Sequence, residues 1–559
     1  MPPSAAMIGH LPAEEDPAME FQGYEYAGLV VAGIVVFFII RLGIGYWASR
    51  RVETTADYIV AGRRLPIWLA AASIMATWFA AETLMGASST AYQYGLQGVV
   101  FDPFGAALCL FLSGFFFVRL MRRARYLTII SFFESRYGKT MGLLGSMAQI
   151  LTYFAWTGAQ IVAGGNIVHA LLGWPVATGM VVVALIVTLY TAMGGLWADT
   201  ALDFMQMFLT AGGITLIFLG VLSAVGGWKG LTTDAGSLYV SNPLTLLPIE
   251  GEGYLGYTGS TGMFYWLAAW MAIGFGSVPT QDLMQRSMSS KNESVAVWGA
   301  FAAGALYLFF GVMSPLIGIA MFKLNPNIAP EQTEFLLLTA AFEHLHPVLT
   351  AIFIAALASA LMSTSDSSVL AGASVFTQNV LPFFKKSMTD KDNLRWTRIA
   401  VIVSGLISVV FALLAATIYD LAMVAWSLLL VGLFAPFALG MYWKKANKSG
   451  AIASFLSGFA TWAVLIIYYF PEALEMNAGD AGVAFWDAVY IGSTSAFVVS
   501  LVAMVVVSLL TGKRDAPRPL TDVDGNPLPL ANRLGNLWMR DGWKIGKAER
   551  AGEKSPAGD

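Results

Sequence analysis

The sequence predicts an all-α protein that crosses a membrane about thirteen times, and two features of the chain carry this prediction. Of its 559 residues, 57% are hydrophobic and only 12% are charged, whereas soluble domains carry about 25% charged residues. Apolar runs of about 20 residues, the length that spans a bilayer as a helix, recur along most of the chain. We therefore expect a polytopic membrane protein.

The apolar runs of helical length are the predicted spans. They lie near residues 26–47, 66–92, 98–118, 140–172, 175–193, 201–224, 262–285, 295–322, 347–380, 397–418, 420–443, 449–470 and 485–511. The chain is thereby divided into an N-terminal segment of residues 1–24, a transmembrane domain of residues 25–511 and a tail of residues 512–559. Because residues 1–24 are acidic and contain no lysine or arginine, we expect the first span to be a retained anchor and not a signal peptide.

The basic residues are distributed unevenly between the two sides of these spans. Only Lys229 and Lys323 fall in loops on one side, whereas the other side holds nearly all of the rest. Arg41 lies inside the first span, near its inner end, and could snorkel toward the basic side. Because loops rich in lysine and arginine stay in the cytoplasm, we predict a multi-pass plasma-membrane protein with its N-terminus outside and its C-terminus inside.

Membrane lipid is one expected partner of the protein, and composition argues against several other kinds of partner. The tail is rich in proline, glycine and charge, so we expect most of it to be disordered, with Leu537–Lys547 as a segment that could lie on the membrane surface. The single cysteine, Cys109, excludes an internal disulfide and a cysteine-based zinc site. The net charge of −3 gives no sign of a nucleic-acid partner, and no obligate protein partner is indicated.

The most informative segment is Ala355–Phe376, which is apolar enough to span a bilayer but holds an unbroken polar run, Ser363–Ser368. Polar groups at membrane depth are costly and usually line an ion or substrate path. One face of a helix would carry Ala360, Ser363, Thr364 and Ser367, with Asp366 at its edge. Such oxygens suit a hard cation, so we predict a Na⁺ site; the alternative is that the hydroxyls only join packed helices.

Two spans contain features that interrupt helices. Residues 273–280 (IGFGSVPT) place two glycines and a proline in one run, so the helix is expected to unwind there, with an ordinary proline kink as the alternative. Residues 76–82 (ATWFAAE) bring Trp78 and Glu82 into another apolar run, although this composition does not by itself require a break. Unwound backbone lines the ion and substrate sites of inverted-repeat transporters.

Further charged residues lie near the ends of spans. Asp203 lies about one turn into the span that follows a double-glycine turn, which makes it a candidate for the ion path. Asp199 is one turn earlier, where a carboxylate complements the helix dipole, so we expect it to be a cap. Asp282 and Arg286 are four residues apart, a spacing that predicts an ion pair or a gate latch.

Several of these motifs, in this order, resemble those of the sodium:solute symporter family. They are Asp57–Arg63 (DYIVAGR), Tyr190–Gln206 (YTAMGGLWADTALDFMQ), Val278–Arg286 (VPTQDLMQR), Ala360–Ser368 (ALMSTSDSS) and Pro436–Trp443 (PFALGMYW) followed by Lys445–Asn447 (KAN). The family includes carriers of proline, pantothenate, sialic acid, glucose and choline. Within it, Ala76–Trp78, Tyr137–Gly142, Leu189–Thr191 and Ser363–Ser368 are most similar to the high-affinity choline carriers.

The resemblance implies a leucine-transporter-type core of two inverted five-helix repeats, spans two to six and seven to eleven. It also implies Na⁺ as the coupling ion. The main Na⁺ site would use backbone and hydroxyl oxygens of Ala76, Phe79, Ala360, Ser363 and Thr364. A second cation site, present in some members, would correspond to Asp203, Asp366 and Ser367. Since Asp366 replaces a hydroxyl of the sialic acid carriers, a proton or a salt bridge is an alternative to the second Na⁺.

The resemblance implies a solute site beside the main Na⁺ site, with gating by Asp282 and Arg286. The expected solute-binding residues are Trp78, Glu82, Trp156, Gln160, Phe275 and Thr280. Aromatic faces attract an ammonium group by cation–π contact, and Glu82 could balance an organic cation. This chain has Thr280 where the choline branch has another tryptophan. The solute is therefore an ammonium compound such as choline or a zwitterion or, alternatively, an amino acid or a carboxylate.

The motifs together predict a secondary active transporter that carries a small organic solute with Na⁺ by alternating access. A transporter-like membrane sensor is an alternative from another class, but the short tail contains no recognisable signalling domain. A membrane enzyme is disfavoured because the spans carry no Ser/His/Asp, HExxH or phosphate-binding motif. We therefore expect the protein not to be an enzyme.

Overall fold

The computed structural model describes residues 25–528 except 51, 234, 386, 387, 415 and 416. Within these residues the protein is helical, and extended backbone is limited to isolated β-bridges. The long helices are α1 (Ala27–Ser49), α2a (Ile67–Trp78), α2b (Glu82–Gly98), α3 (Val100–Ala124), α4 (Lys139–Leu172), α5 and α6 (together Val176–Ala224, divided at Gly195), α7a (Gly259–Gly276), α7b (Gln281–Ser289), α8 (Glu293–Leu324), α9 (Pro347–Phe383), α10 (Asp390–Leu414), α11 (Ile418–Tyr442), α12 (Lys448–Met476) and α13 (Ala481–Thr511).

Each predicted span lies on one of these helices or on one of the broken pairs, α2a with α2b and α7a with α7b. By length and hydropathy, eight helices of the described part could cross a membrane, or up to ten if each bent pair is counted as one span. The two bent pairs are α2a with α2b, at 61°, and α4 with the first part of α5, at 118°. The all-helical polytopic fold is thus confirmed, and the number of thirteen crossings stays a prediction.

The predicted break in α7 is confirmed, and α2 is broken as well. The break in α7 covers residues 277–280 and includes Pro279, which has no N–H to continue the helix. In α2 the helix ends at Trp78, where Ala80 N donates to Trp78 O instead of continuing the helical pattern. Side chains from other helices bind the exposed backbone there: Gln160 Oε1 accepts from Ala81 N at 3.2 Å. The local composition did not require this break, because the side chain that binds the freed backbone comes from α4, far away in the sequence.

The double-glycine turn between α5 and α6 allows a close contact. Gly195 has φ of 58°, and a Cβ atom at this position would lie 2.7 Å from Tyr58 O. A side chain is therefore excluded both by the backbone conformation and by the neighbouring backbone. The turn brings α6 and its aspartates against α2a and α9, which are its neighbours in the core.

The first part of the tail packs against the rest of the protein, and the prediction that most of the tail is disordered stays a prediction. Residues 513–528 return along the loop between α3 and α4, where Leu520 is buried. Thr521 N donates to Ser135 Oγ at 3.0 Å, and Val523 N donates to Ala124 O at 3.1 Å. Backbone hydrogen bonds to a loop fix this segment despite its polar composition. The remaining tail, with the predicted surface segment Leu537–Lys547, lies outside the described residues.

Candidate functional site

The polar run of α9 is buried, and one of its hydroxyls contacts the end of α2a. The side chains of Ser363–Ser368 are at most 3% exposed. Thr364 Oγ1 donates to Thr77 O at 2.9 Å, and this carbonyl lies between Ala76 and Phe79 where α2a ends. Ala360 is one turn before Thr364 on the same face of α9. Thr364 is thus placed against the end of α2a with an oxygen chemistry that fits Na⁺. Ser363 Oγ instead lies 2.5 Å from Asp203 Oδ1 and 3.1 Å from Asp199 Oδ1, so its role as a ligand of the main Na⁺ site stays a prediction.

Replacing Thr364 with alanine is expected to raise the Na⁺ concentration for half-maximal uptake at least about tenfold, since losing a ligand in a dry site costs more than about 1.4 kcal/mol. The matched control is Ser365→Ala, because Ser365 Oγ donates to Leu361 O of its own helix at 2.8 Å. Uptake by proteoliposomes at varied Na⁺ concentration measures both. A Thr364→Ala protein with the parent's Na⁺ dependence would show that α9 does not bind Na⁺ here.

The residues predicted for the second cation site are divided between two arginines. Arg286, 1% exposed, donates from Nη2 to Asp199 Oδ2 at 2.6 Å and to Ser367 Oγ at 2.5 Å. The same nitrogen lies 3.7 Å from Asp203 Oδ2. A guanidinium group therefore lies beside Asp203 and Ser367, two of the three residues predicted for the second cation site.

Two interpretations of local spacing are wrong. Asp199 is not a helix cap, since its carboxylate is buried and paired with Arg286. Arg286 does not pair with the carboxylate of Asp282, although Nη1 lies 3.5 Å from the Asp282 backbone carbonyl. Tertiary packing of α6 against α7b supplies a closer partner than the helix itself does.

Asp366 of α9 has a different basic partner from this group. Its carboxylate is paired with Arg41 of α1 and accepts a hydrogen bond from Thr191 Oγ1 at 2.5 Å. Arg41 is 2% exposed, so it does not snorkel to the membrane surface as predicted. The structure therefore does not bring Asp366 together with Asp203, and the salt-bridge alternative describes Asp366 better than a shared cation.

Three indole rings meet beside the break in α2. The ring of Trp426, on α11, lies 4.9 Å from Trp156 and 5.9 Å from Trp78, measured between ring centroids. All three rings are at most 2% exposed. Sequence reasoning selected Trp78 and Trp156 but missed Trp426. The available signal was its position in the middle of an apolar run, since membrane tryptophans are usually enriched at the interfaces.

Glu82 lies against this aromatic group as an acid without a basic partner. Its Oε1 accepts from Trp156 Nε1 at 2.9 Å, and its Oε2 accepts from Gln160 Nε2 at 2.8 Å. Among the described residues, no lysine, arginine or histidine forms an ion pair with it. A buried carboxylate that is held only by neutral donors favours a cation beside it.

Asp282 connects the second half of the broken helix α7 to the first half of the broken helix α2. Its Oδ2 accepts from Trp78 Nε1 at 2.7 Å, and its Oδ1 accepts from Tyr153 OH at 2.7 Å. It thus links α7b to α2a and α4, so a gating role remains a prediction with these partners instead of Arg286. Thr280 lies just before α7b. Its hydroxyl donates to Ser277 O at 2.8 Å, so its hydrogen bond is formed within the break itself.

Phe275 is not brought to the aromatic group. Its ring stacks on Phe434 with the centroids 5.1 Å apart, and Phe497 of α13 lies beyond it. The next residue, Gly276, packs against the backbone of Trp426. Because neighbouring residues point in different directions around a helix, Phe275 faces away from the three indoles, and the prediction that it binds solute is not supported by its position.

The chain is similar in sequence to several known transporters. The chain is 28% identical over 442 residues to the human high affinity choline transporter 1, which covers 76% of this chain and 74% of the transporter. It is 25% identical over 496 residues to the osmoregulated proline transporter OpuE of Bacillus subtilis, covering 86% and 94%. The sodium/glucose cotransporter of Vibrio parahaemolyticus is 27% identical over 446 residues, covering 75% and 81%.

A solved structure of a Na⁺-coupled sialic acid symporter matches with a TM-score of 0.64 at 21% identity, covering 86% of this chain and 98% of the symporter. This match shows the fold, and the predicted leucine-transporter-type core is confirmed. The model of the family described as "Sodium:solute symporter family" matches residues 58–458, which is most of the chain. The chain therefore belongs to the sodium:solute symporter family, whose activity is Na⁺-coupled solute symport and not enzymatic catalysis.

Proposed function

We propose that the solute carries an ammonium group, as a quaternary amine such as choline or as a zwitterion, and that it is taken up across the plasma membrane. The observation that carries this proposal is Glu82, a buried acid held by Trp156 and Gln160 beside three indole rings. The indole faces would attract the ammonium group, and Glu82 would neutralise it. The similarity to choline transporters supports the same class of solute.

Trp426 adds a preference within this class. Within the described part of the chain, its Nε1 is buried and has no hydrogen-bond partner. A buried donor without a partner is unfavourable by about 1–3 kcal/mol, so a solute that offers an acceptor would be favoured. The hydroxyl of choline and the carboxylate of a zwitterion are both acceptors. A carboxylate solute without an ammonium group would instead place its negative charge near the carboxylates of Glu82 and Asp282, which would repel it.

Coupling between Na⁺ and solute binding would follow because the Na⁺ site and the solute site both include the break in α2. The hydroxyl of Thr364 meets the backbone at the end of α2a, while Trp78 and Glu82 lie on either side of the same break. Na⁺ that fixes this segment would also order the solute site. Such coupling is reciprocal and is typically about 1–3 kcal/mol in binding free energy.

We infer that one Na⁺ accompanies each solute. The guanidinium of Arg286 lies beside Asp203 and Ser367, two of the three residues of the candidate second cation site, and the third, Asp366, is paired with Arg41. Asp366 is thus compensated by Arg41, whereas Arg286 supplies one positive charge to the two carboxylates of Asp199 and Asp203 and takes up the position between them. Parallel measurements of Na⁺ and solute flux in proteoliposomes test this ratio.

A screen of choline, betaine, amino acids and carboxylates, each with and without Na⁺, tests the solute class by thermal shift and uptake. The sharper test is Trp426→Leu, which removes an indole without breaking a hydrogen bond within the described structure. We expect binding of an ammonium solute to weaken by about 1–2 kcal/mol, or roughly 5- to 30-fold, with a much smaller effect on neutral solutes.

The control is Trp462→Leu. Trp462 is also buried, but it lies on α12 and donates to Val489 O of α13 at 2.6 Å, away from the three indoles. This variant should not change solute affinity. Equal effects of the two substitutions, or Na⁺-dependent uptake of a simple carboxylate with no binding of any ammonium compound, would contradict the proposed solute class.

A further inference from the structure

A second buried acid lies near the break in α2 and has no part in the site described above. Asp102, at the start of α3, is completely buried. The titratable groups that face it are Tyr307 of α8, Tyr419 of α11 and Glu82 of α2b. Within the described residues, no lysine, arginine or histidine pairs with Asp102.

The oxygen atoms around Asp102 are unusually close together. Tyr307 OH lies 2.9 Å from each carboxylate oxygen of Asp102, 2.5 Å from Thr83 Oγ1 and 3.0 Å from Trp78 O. Thr83 Oγ1 in turn lies 2.9 Å from Asp102 Oδ2 and 3.0 Å from Trp78 O. Four oxygen-bearing groups from α2, α3 and α8 thus form one cluster.

The number of donors in this cluster is too small if Asp102 is ionised. Thr83 and Tyr307 each have one hydroxyl proton, whereas a carbonyl and an ionised carboxylate have none. The cluster contains six contacts of 3.0 Å or less, and oxygens in contact without a proton between them repel, so each further proton removes part of this repulsion. A proton on Asp102 supplies a third donor and removes the cost of burying an unpaired charge.

We propose that Asp102 is a proton-binding site and is protonated in this conformation of the transporter. Its proton, with those of Thr83 and Tyr307, completes a hydrogen-bonded cluster on the carbonyl of Trp78, the last residue of α2a. The proton thereby helps to hold the break in α2 beside the solute site. The inference does not depend on which solute is carried.

The spacing of the oxygens favours a proton over Na⁺ at this place. A hard cation lies about 2.3–2.6 Å from its oxygen ligands, so ligands at right angles around it are about 3.4 Å apart. The contacts of Tyr307 OH with Thr83 Oγ1 and Asp102, at 2.5 and 2.9 Å, are instead the separations of oxygens that share a proton.

Infrared difference spectroscopy of the purified transporter tests this proposal at neutral pH. The parent should show the carbonyl stretching band of a protonated carboxylic acid that is lost in Asp102→Asn. Glu82→Gln is the control, and it should keep that band, because Glu82 is the acid assigned to the solute. The amide introduced by Asp102→Asn has the shape of the neutral acid, so this variant should also keep the parent's Na⁺-induced thermal stabilisation.

Three results would overturn the proposal. In the first, D102N removes a band of an ionised carboxylate, which would show that Asp102 is charged in the parent. In the second, D102N folds but loses stabilisation by Na⁺, which would make Asp102 a Na⁺ ligand. In the third, D102N fails to fold, which would show that a neutral group cannot replace Asp102. Loss of ammonium binding in Glu82→Gln alone would concern the proposed solute and not this site.

Discussion

Replacing Arg286 with methionine is expected to destabilise the transporter by about 3–5 kcal/mol, the cost of leaving a buried charge without its partner. Arg286 is 1% exposed and pairs with Asp199 at 2.6 Å, while Asp203 lies 3.7 Å from the same nitrogen. Without the guanidinium, two carboxylates would remain close together in a site with little water. The unfolding midpoint and the monodisperse yield in detergent measure the effect.

Restoring the charge balance should reverse much of this loss. Adding Asp199→Asn to Arg286→Met removes one of the two uncompensated carboxylates, so the double variant should be more stable than Arg286→Met alone. A double-mutant cycle of the two positions then gives their coupling energy, which for buried pairs in one network is about 0.5–3 kcal/mol. Additive effects would mean that the two residues do not form the ion pair.

Na⁺ provides a second measurement on the same variant. If Arg286 occupies the place of a second cation, Arg286→Met should be stabilised by Na⁺ to a greater extent than the parent is. Arg123→Met is the control, since Arg123 pairs with Glu293 near the end of α3 and Glu293 retains Arg119 at 3.3 Å. An Arg286→Met protein with the parent's stability at every Na⁺ concentration would refute the role of the guanidinium.

The long-range ion pairs mark the limit of what the sequence could predict. The helical runs, the break in α7 and the buried polar run of α9 follow from hydropathy, proline and residue type, which are local properties. The partner of Asp366 is 325 residues away, and the partner of Arg286 lies on α6. Spacing along a helix suggested Asp282 for Arg286, because a local rule cannot show which helices meet in the core.

The aromatic group beside the break in α2 was predicted incompletely for a similar reason. Trp78, Trp156 and Glu82 were found by their residue types and by the family motifs. The sequence showed that Thr280 leaves the aromatic group open on one side, but not that Trp426 of α11 supplies a third ring. Phe275 was selected from the right segment, yet the direction of its side chain depends on how closely Gly276 packs on α11.

Replacing Glu82 with glutamine is expected to weaken binding of an ammonium solute at least about 30-fold, since removing one partner of a buried charge pair costs about 2 kcal/mol or more. Glutamine has the shape of glutamate and can still accept from Trp156 Nε1. The fold and the binding of Na⁺ without solute should therefore be retained. Calorimetric titration of the solute, at saturating Na⁺, measures the change.

Glu334→Gln is the matched control for this substitution. Glu334 lies between α8 and α9 and is also held by neutral donors, Asn166 Nδ2 at 2.8 Å and Ile418 N at 3.1 Å. Burial raises the pKa of its carboxyl group, as expected for an acid without a basic partner. It lies away from the three indoles, so its neutralisation should leave solute affinity unchanged. If both variants bind ammonium solutes as the parent does, Glu82 is a structural acid, and the solute must be recognised by groups other than a buried negative charge.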